Sequence, residues 1–305
     1  MPSGKRAKQQ RREAAATGKT PPPVRSKGGA GGQRQASPRA LAIGGGVVVI
    51  VIVAVVLAVV LGKSNGSGPT NGSGDSPTLH LAAGTPAVGS SKNSVLQGAT
   101  NIETMFKGIP ENHFVLGSPT APVTLTEFID LQCPDCKQFE TTELPTLVQK
   151  YVRTNKLQIK MEPWDILDRT PDVHDSLRGQ KATIAAAAQN RAFQFAELLY
   201  FNQGTEETGW MTDGVISQLA AGVDGLKPAQ LVSDANSSAT ATLVHQIDAL
   251  ATSLTAKFPP TQTSGFNGTP GIFLSKGNSA PVLFDNTAGV PDLGNLEHAI
   301  DALAQ

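Results

Sequence analysis

Cys133 and Cys136 are the only cysteines of the 305-residue chain. They sit at the end of the run Thr126-Glu127-Phe128-Ile129-Asp130-Leu131-Gln132-Cys133-Pro134-Asp135-Cys136. Two thiols at this spacing share one helix face, so one can attack a disulfide as thiolate and the other can resolve the mixed disulfide. A cysteine at a helix start has its thiolate favoured by the dipole and the free amide groups. Cys133 would be that exposed nucleophile, and Cys136, one turn further in, the shielded resolving thiol. A lone Cys-x-x-Cys has other uses. A structural zinc site needs about four ligands, and His80, His113, His174, His245 and His298 are scattered along the chain. A purely structural disulfide this short would constrain little of the unfolded chain. No metal and no cofactor is expected.

The elements around the pair must position it. Pro122-Val123-Thr124-Leu125-Thr126-Glu127-Phe128-Ile129 is rich in β-branched residues and, Glu127 apart, apolar or Thr at alternate positions, which predicts a buried strand. Cys133-Pro134-Asp135-Cys136 opens a helix, because proline suits the first turn and aspartate the positive end of the dipole. Phe139, Leu144, Leu147, Val148 and Tyr151 give that helix one apolar face, with Pro145 as a kink or break. Leu157, Ile159 and Met161 alternate as a second strand, so the order begins a parallel βαβ unit. Helical texture then fills residues 174–258. One helix is predicted from about Leu177 to Phe201, one from Thr212/Asp213 to Ala221, one near Pro228 and one over Ala239 to Phe258. Two short strands, Gly271–Ser275 and Val282–Phe284, and a last helix through Leu293, Leu296, Ile300 and Leu303 complete the chain.

The net charge of zero hides two halves. Residues 1–40 carry ten Lys/Arg and one acid; the other 265 carry fifteen basic and twenty-four acidic side chains. The tail 1–39 reads as disordered and basic, with no aromatic residue interleaved as a nucleic-acid arm would have. Residues 40–62 hold no charge, and twenty-three residues at the helical rise span roughly 35 Å, enough for a transmembrane helix. The run is longer than a cleaved leader's apolar region and no small-x-small site follows it. The expectation is a single-pass signal-anchor in the cell membrane, amino terminus cytoplasmic and the remainder extracytoplasmic. Residues 63–94, mostly Gly, Ser, Pro, Thr, Asn and Ala, read as a flexible linker, with the folded part at 95–305.

Gly117-Ser118-Pro119-Thr120-Ala121-Pro122-Val123-Thr124, the strand to Asp130 and Cys133-Pro134-Asp135-Cys136-Lys137-Gln138-Phe139 resemble the DsbA-like branch of thioredoxin-fold disulfide oxidoreductases, especially the membrane-tethered forms of actinobacteria. Gly268-Thr269-Pro270-Gly271-Ile272-Phe273 resembles that family's second signature. The resemblance covers roughly residues 105–305. It implies an α/β thioredoxin fold, a central mixed sheet flanked by helices, with residues 174–258 as an inserted helical domain. It further implies Cys133 as nucleophile, Cys136 as resolving thiol and Pro270 as a cis-proline facing the dithiol. Thr269, with Pro134 and Asp135, would meet an extended substrate. Glu127 matches an acid that many members bury beneath the dithiol. An acid in an apolar strand should have a raised pKa and could exchange a proton with Cys136. The alternatives are an acid satisfied by a lysine or at a sheet edge, and a trans turn proline at 270.

Asp135 departs from strongly oxidising members, which often carry histidine between the cysteines. A carboxylate there opposes thiolate formation and predicts a milder oxidant. The implied activity is oxidation of exported protein thiols, with reoxidation by a quinone-linked membrane partner. A reductase or isomerase kept reduced by a membrane carrier, as in cytochrome maturation, and a redox-inactive binding module with structural cysteines remain alternatives.

Overall fold

The computed structural model describes residues 76–261, 265–284 and 289–305. The basic tail, the apolar run 40–62 and the first part of the glycine-rich segment lie outside the described residues. No helix among the described residues is long and apolar enough to cross a membrane.

Six strands form one mixed sheet among the described residues: β1 (Glu111–Asn112), β2 (Val115–Leu116), β3 (Val123–Ile129), β4 (Leu157–Pro163), β5 (Gly271–Lys276) and β6 (Val282–Leu283). Their order is β1-β2-β4-β3-β5-β6. β3 is central. It runs parallel to β4, with Glu127 opposite Met161, and antiparallel to β5, with Glu127 opposite Ile272. A parallel neighbour requires a crossover, which residues 134–152 provide. β5, β6 and the closing helix add the antiparallel half, so the mixed sheet expected of a thioredoxin fold is present. β1 and β2 come from Glu111 to Leu116, a stretch whose turn residues mask two very short strands.

The period of two along β3 splits the core. Val123, Leu125 and Ile129 face the main cluster, while Phe128 faces a second one with Phe266, Phe273 and Ala251. That second cluster is aromatic: the Phe128 and Phe266 ring centroids lie 5.0 Å apart and those of Phe266 and Phe273 5.1 Å. Glu127 belongs to the first face by the same alternation. It is a carboxyl turned into the main core.

Nine α-helices follow one another among the described residues: α1 (Ala99–Phe106), α2 (Pro134–Gln138), α3 (Leu144–Leu147), α4 (Asp175–Ala187), α5 (Ala192–Phe201), α6 (Asp213–Ala221), α7 (Pro228–Ala235), α8 (Ser238–Lys257) and α9 (Leu293–Ala304). Two π-helical segments, Phe139–Glu143 and Val148–Val152, join α2 and α3 into one crossover. Pro145 therefore does not break the crossover. It stands in the first turn of α3, where its missing N–H costs no bond, and the π segment before it supplies the slack.

The helix predicted from Leu177 to Phe201 is instead two, α4 and α5. Asn190 adopts φ 55° and Arg191 caps the second helix, so the polar Gln189-Asn190-Arg191 turn interrupts an apolar run that continues on both sides. Order also begins earlier than Val95. Residues 76–94, assigned by composition to the linker, lie along the helical block. Leu79 is buried, its N–H donates to Asn236 Oδ1 and its carbonyl accepts from Asn236 Nδ2. Ala82 N–H donates to Ser217 Oγ at 3.0 Å. At Gly89 the approach is so close that a Cβ would meet Val223 O at 2.3 Å. Small residues are needed here for contact, which composition reads as flexibility.

Candidate functional site

β3 ends at Ile129, and four residues later Cys133 caps α2 with extended backbone, φ −70° and ψ 123°. Pro134 occupies the first turn, and Lys137 N–H donates to Cys133 O at 3.0 Å. Pro134 and Asp135 are exposed beside it. Both thiols are free. Cys133 is only 6% exposed and Cys136 not at all, so the nucleophile is far less open than the sequence suggests. The cover is the loop before β5: Cys133 Sγ lies 3.4 Å from Thr269 O, and the Thr269–Pro270 peptide is cis. Pro270 is buried and Thr269 half-buried. Chain segments more than a hundred residues apart thus meet at one sulfur.

The two thiols are pushed apart. A hydrogen bond from the Cys136 thiol, then the Thr269 hydroxyl and the Cys136 and Asp135 backbone N–H groups, lower Cys133 to about 6 against the opposing effect of burial. Burial, and after it the sulfur of Cys133, push Cys136 well above the usual thiol range. Asp135 thus helps the thiolate through its backbone. Its carboxylate lies over Gly289, where a Cβ would come within 2.8 Å of Oδ2.

Glu127 is fully buried, and neither carboxyl oxygen has a hydrogen-bond partner among the described residues. β3 is flanked on both sides, so Glu127 is not at a sheet edge. Burial, and then the neighbouring Glu140, hold it well above the ordinary carboxyl range. Glu140, from the π segment after α2, is raised to about 7 by burial, partly offset by its neighbour Glu197 of α5, and like Glu127 neither acid has a hydrogen-bond partner for its carboxyl oxygens among the described residues. Glu197 is itself held well above the usual range by burial, then by Glu140 and by Glu127. Three buried acids with no cation beside them among the described residues cannot all ionise. They form a proton-holding group inside the main core.

The turn into Cys133 is also tightly bonded. Asp130 Oδ1 accepts from Gln132 N–H at 2.9 Å and Oδ2 from Leu167 N–H at 2.9 Å, while Ser176 Oγ is 2.7 Å from both. Burial nevertheless raises Asp130 to about 7, with the Cys133 charge adding to it. Gln132 Nε2 donates to Asp168 and Ser176, and Gln132 Oε1 accepts from Glu207 N–H at 2.7 Å. Tyr200, at the end of α5, is fully buried with its hydroxyl donating to Asp130 O. Sequence reasoning missed Asp130, Glu140, Glu197 and Tyr200. For Glu197 a signal existed: it is the one acid in the apolar run Ala192-Phe193-Gln194-Phe195-Ala196-Glu197-Leu198-Leu199-Tyr200.

The thioredoxin family model matches residues 110–282, more than half of the chain. The chain belongs to the thioredoxin family. Within it, the chain is 28% identical over 149 residues to disulfide bond formation protein D of Bacillus subtilis, covering 46% of this chain and 60% of that protein. It is 28% identical over 103 residues to a probable disulfide bond formation protein D of Bacillus cereus, covering 33% and 45%. The chain thus spans about half the length of these curated relatives. Among solved structures, oxidised BdbD of Bacillus subtilis superposes with a TM-score of 0.52 at 21% identity, over 63% of this chain and 93% of that one. DsbA of Chlamydia trachomatis gives 0.51 at 17% identity, over 64% and 92%. These two likenesses are of fold.

Proposed function

We propose that this chain is a thiol–disulfide oxidoreductase of the DsbA-like, membrane-tethered type. In this reading it oxidises exported proteins through Cys133 and Cys136. The observation that carries the reading is the placement of Cys133 at the start of α2, 3.4 Å from Thr269 O, with Cys136 fully buried behind it, an arrangement that lowers one thiol to about 6 and raises the other. At pH 7 a thiol titrating at about 6 is roughly 90% thiolate, against a few per cent for an ordinary cysteine.

The cycle starts from the Cys133–Cys136 disulfide. A substrate thiolate attacks Cys133 Sγ, the Cys133–Cys136 bond breaks, and Cys136 leaves with the electron pair and takes up a proton. In this reading Glu127 and its two carboxyl neighbours, buried in the same core as Cys136, exchange that proton. A second substrate thiolate then attacks the substrate sulfur of the mixed disulfide, and Cys133 leaves as thiolate. The substrate has lost two electrons and gained a disulfide; the Cys133–Cys136 pair has gained the two electrons. A low-pKa leaving thiol and a stabilised reduced form favour this direction. A membrane redox partner would restore the disulfide. In this reading an extended substrate meets Thr269, Pro134 and Asp135 beside Cys133, with the buried Pro270 behind Thr269.

The compartment follows from residues 1–62. In this reading the basic tail stays in the cytoplasm and touches the lipid bilayer, residues 40–62 span the membrane, and the thioredoxin-like part from residue 76 works outside. The names of the Bacillus relatives support the activity. Carbonate extraction and protease accessibility of the full chain in cells test the topology; release by carbonate, or a protease-protected catalytic part, refutes it. For the activity, oxidised full-length chain in detergent is mixed with a reduced dithiol peptide. Stoichiometric peptide oxidation that disappears in Cys133→Ser is expected. No oxidation, with rapid insulin reduction instead, moves the reading to a reductase.

A further inference from the structure

The bend that delivers Cys133 is fastened from the helical insertion. Tyr200 Oη donates to Asp130 O at 3.0 Å, the same carbonyl that accepts the Cys133 N–H at 3.0 Å. Three residues on, just past α5, Gln203 spends both hydrogens of its amide on the bend. Nε2 donates to Leu131 O at 3.1 Å and to Cys133 O at 3.2 Å. Carbonyls of Asp130, Leu131 and Cys133 are therefore all taken by two side chains from one helix end. These bonds add to the two that the connection makes for itself, Cys133 N–H to Asp130 O and Lys137 N–H to Cys133 O.

We propose that Tyr200 and Gln203 are positioning residues for the nucleophile, clamping the 130–133 bend so that the α2 amides stay aimed at Cys133 Sγ. The inference rests on the proposed dithiol chemistry. Its physical basis is that the Asp135 and Cys136 N–H groups support the thiolate only if the sulfur stays in front of them. Gln203 adds a donor dipole at the carbonyl of Cys133 itself. Tyr200 keeps its proton, because burial, then Cys136, Glu140, Asp130 and Cys133, hold it well above its ordinary range. It is a donor at every working pH. The clamp gives the insertion a task beyond covering the sheet: it makes the state of the nucleophile depend on how α5 sits.

The titratable groups facing Cys133 are Cys136 from α2, Asp130 from the end of β3 and Tyr200 from α5. Asp130 titrates in the same range, so the readout must be the sulfur: thiolate absorbance and alkylation rate of the reduced full chain in detergent, from pH 4 to 10. Tyr200→Phe removes one hydroxyl and leaves Asp130 O its bond to Cys133 N–H, so it should fold. Gln203→Met keeps the volume and removes both donors. Asn202→Ala is the control. It loses the Asn202 Nδ2 bonds to Gln97 O and Leu198 O at the same helix end without touching the bend. Tyr200→Phe and Gln203→Met should each move the Cys133 titration up by about half a unit to one unit, which lowers alkylation at pH 6 roughly two- to fivefold. Asn202→Ala should lose stability with no shift. If both clamp variants titrate like wild type while losing stability as Asn202→Ala does, the residues are merely structural and the proposal is wrong. If they shift but the wild type turns over no dithiol or disulfide, the clamp stands and the proposed activity falls.

Discussion

Replacing Glu140 by glutamine should make the protein more stable at alkaline pH than the wild type. Burial lifts Glu140 from 4.5 to about 7. Its folded pKa lies above the unfolded one, so the unfolded chain releases the proton first as pH rises. Stability contributed by the protonated acid is complete below pH 4.5 and drains away as pH climbs towards the folded value. A two-state linkage sum for these two values gives a loss of roughly 2–3 kcal/mol between pH 5 and pH 8. Glu140→Gln is close in shape and has no charge to lose, so that part of the pH dependence should vanish. For a folded unit of this size the difference corresponds to a melting temperature gap of about 5–10 °C at pH 8 that closes at pH 5. Thermal unfolding of the reduced full chain in detergent, followed by near-ultraviolet circular dichroism at both pH values, measures it. Comparing variant with wild type in the same redox state cancels the titration of Cys133. Parallel pH profiles for the two proteins would refute the picture of Glu140 as a buried, proton-sharing acid. Glu127 and Glu197 would then need a counter-charge that the fold does not provide.

Two other outcomes follow from the same geometry. Cys136→Ala removes the largest influence that lowers Cys133, so the thiolate absorbance of Cys133 should titrate above its value of about 6; an unchanged titration means the amides alone hold the sulfur. Leu79→Ala should cost about 2–4 kcal/mol, because Leu79 is 1% exposed and packs into the main core from the segment before α1. Its Cys133 titration should not move, and a cost near zero would mean that residues 76–94 are not seated on the helical block.

The sequence carried the fold's outline because its strongest periodicities lie in the elements that count. The β-branched run 123–129 and the alternation at 157–161 are the central parallel pair, and the Thr212 and Pro228 helix starts stand where predicted. It failed where a polar turn sits inside an apolar run, as at Asn190, and where glycine serves contact rather than freedom, as at Gly89. The dithiol was legible from residue types and spacing, and the Thr269–Pro270 pair only through the family resemblance. What surrounds them was not. Glu140 and Glu197 come from different halves of the chain and read as ordinary helix-surface acids until packing turns them inward. The bonds from Tyr200 and Gln203 to the bend depend on where a helix ends in space, which no local pattern encodes.

The pH dependence of alkylation of the reduced wild-type chain, read separately for each cysteine by mass spectrometry, bears most directly on the central claim. The account predicts modification at Cys133 alone, with a half-maximal rate at about pH 6, and Cys136 protected until the chain unfolds. Equal modification of both thiols, or a Cys133 rate that rises only in the range of an ordinary cysteine at roughly pH 8.5, would contradict it.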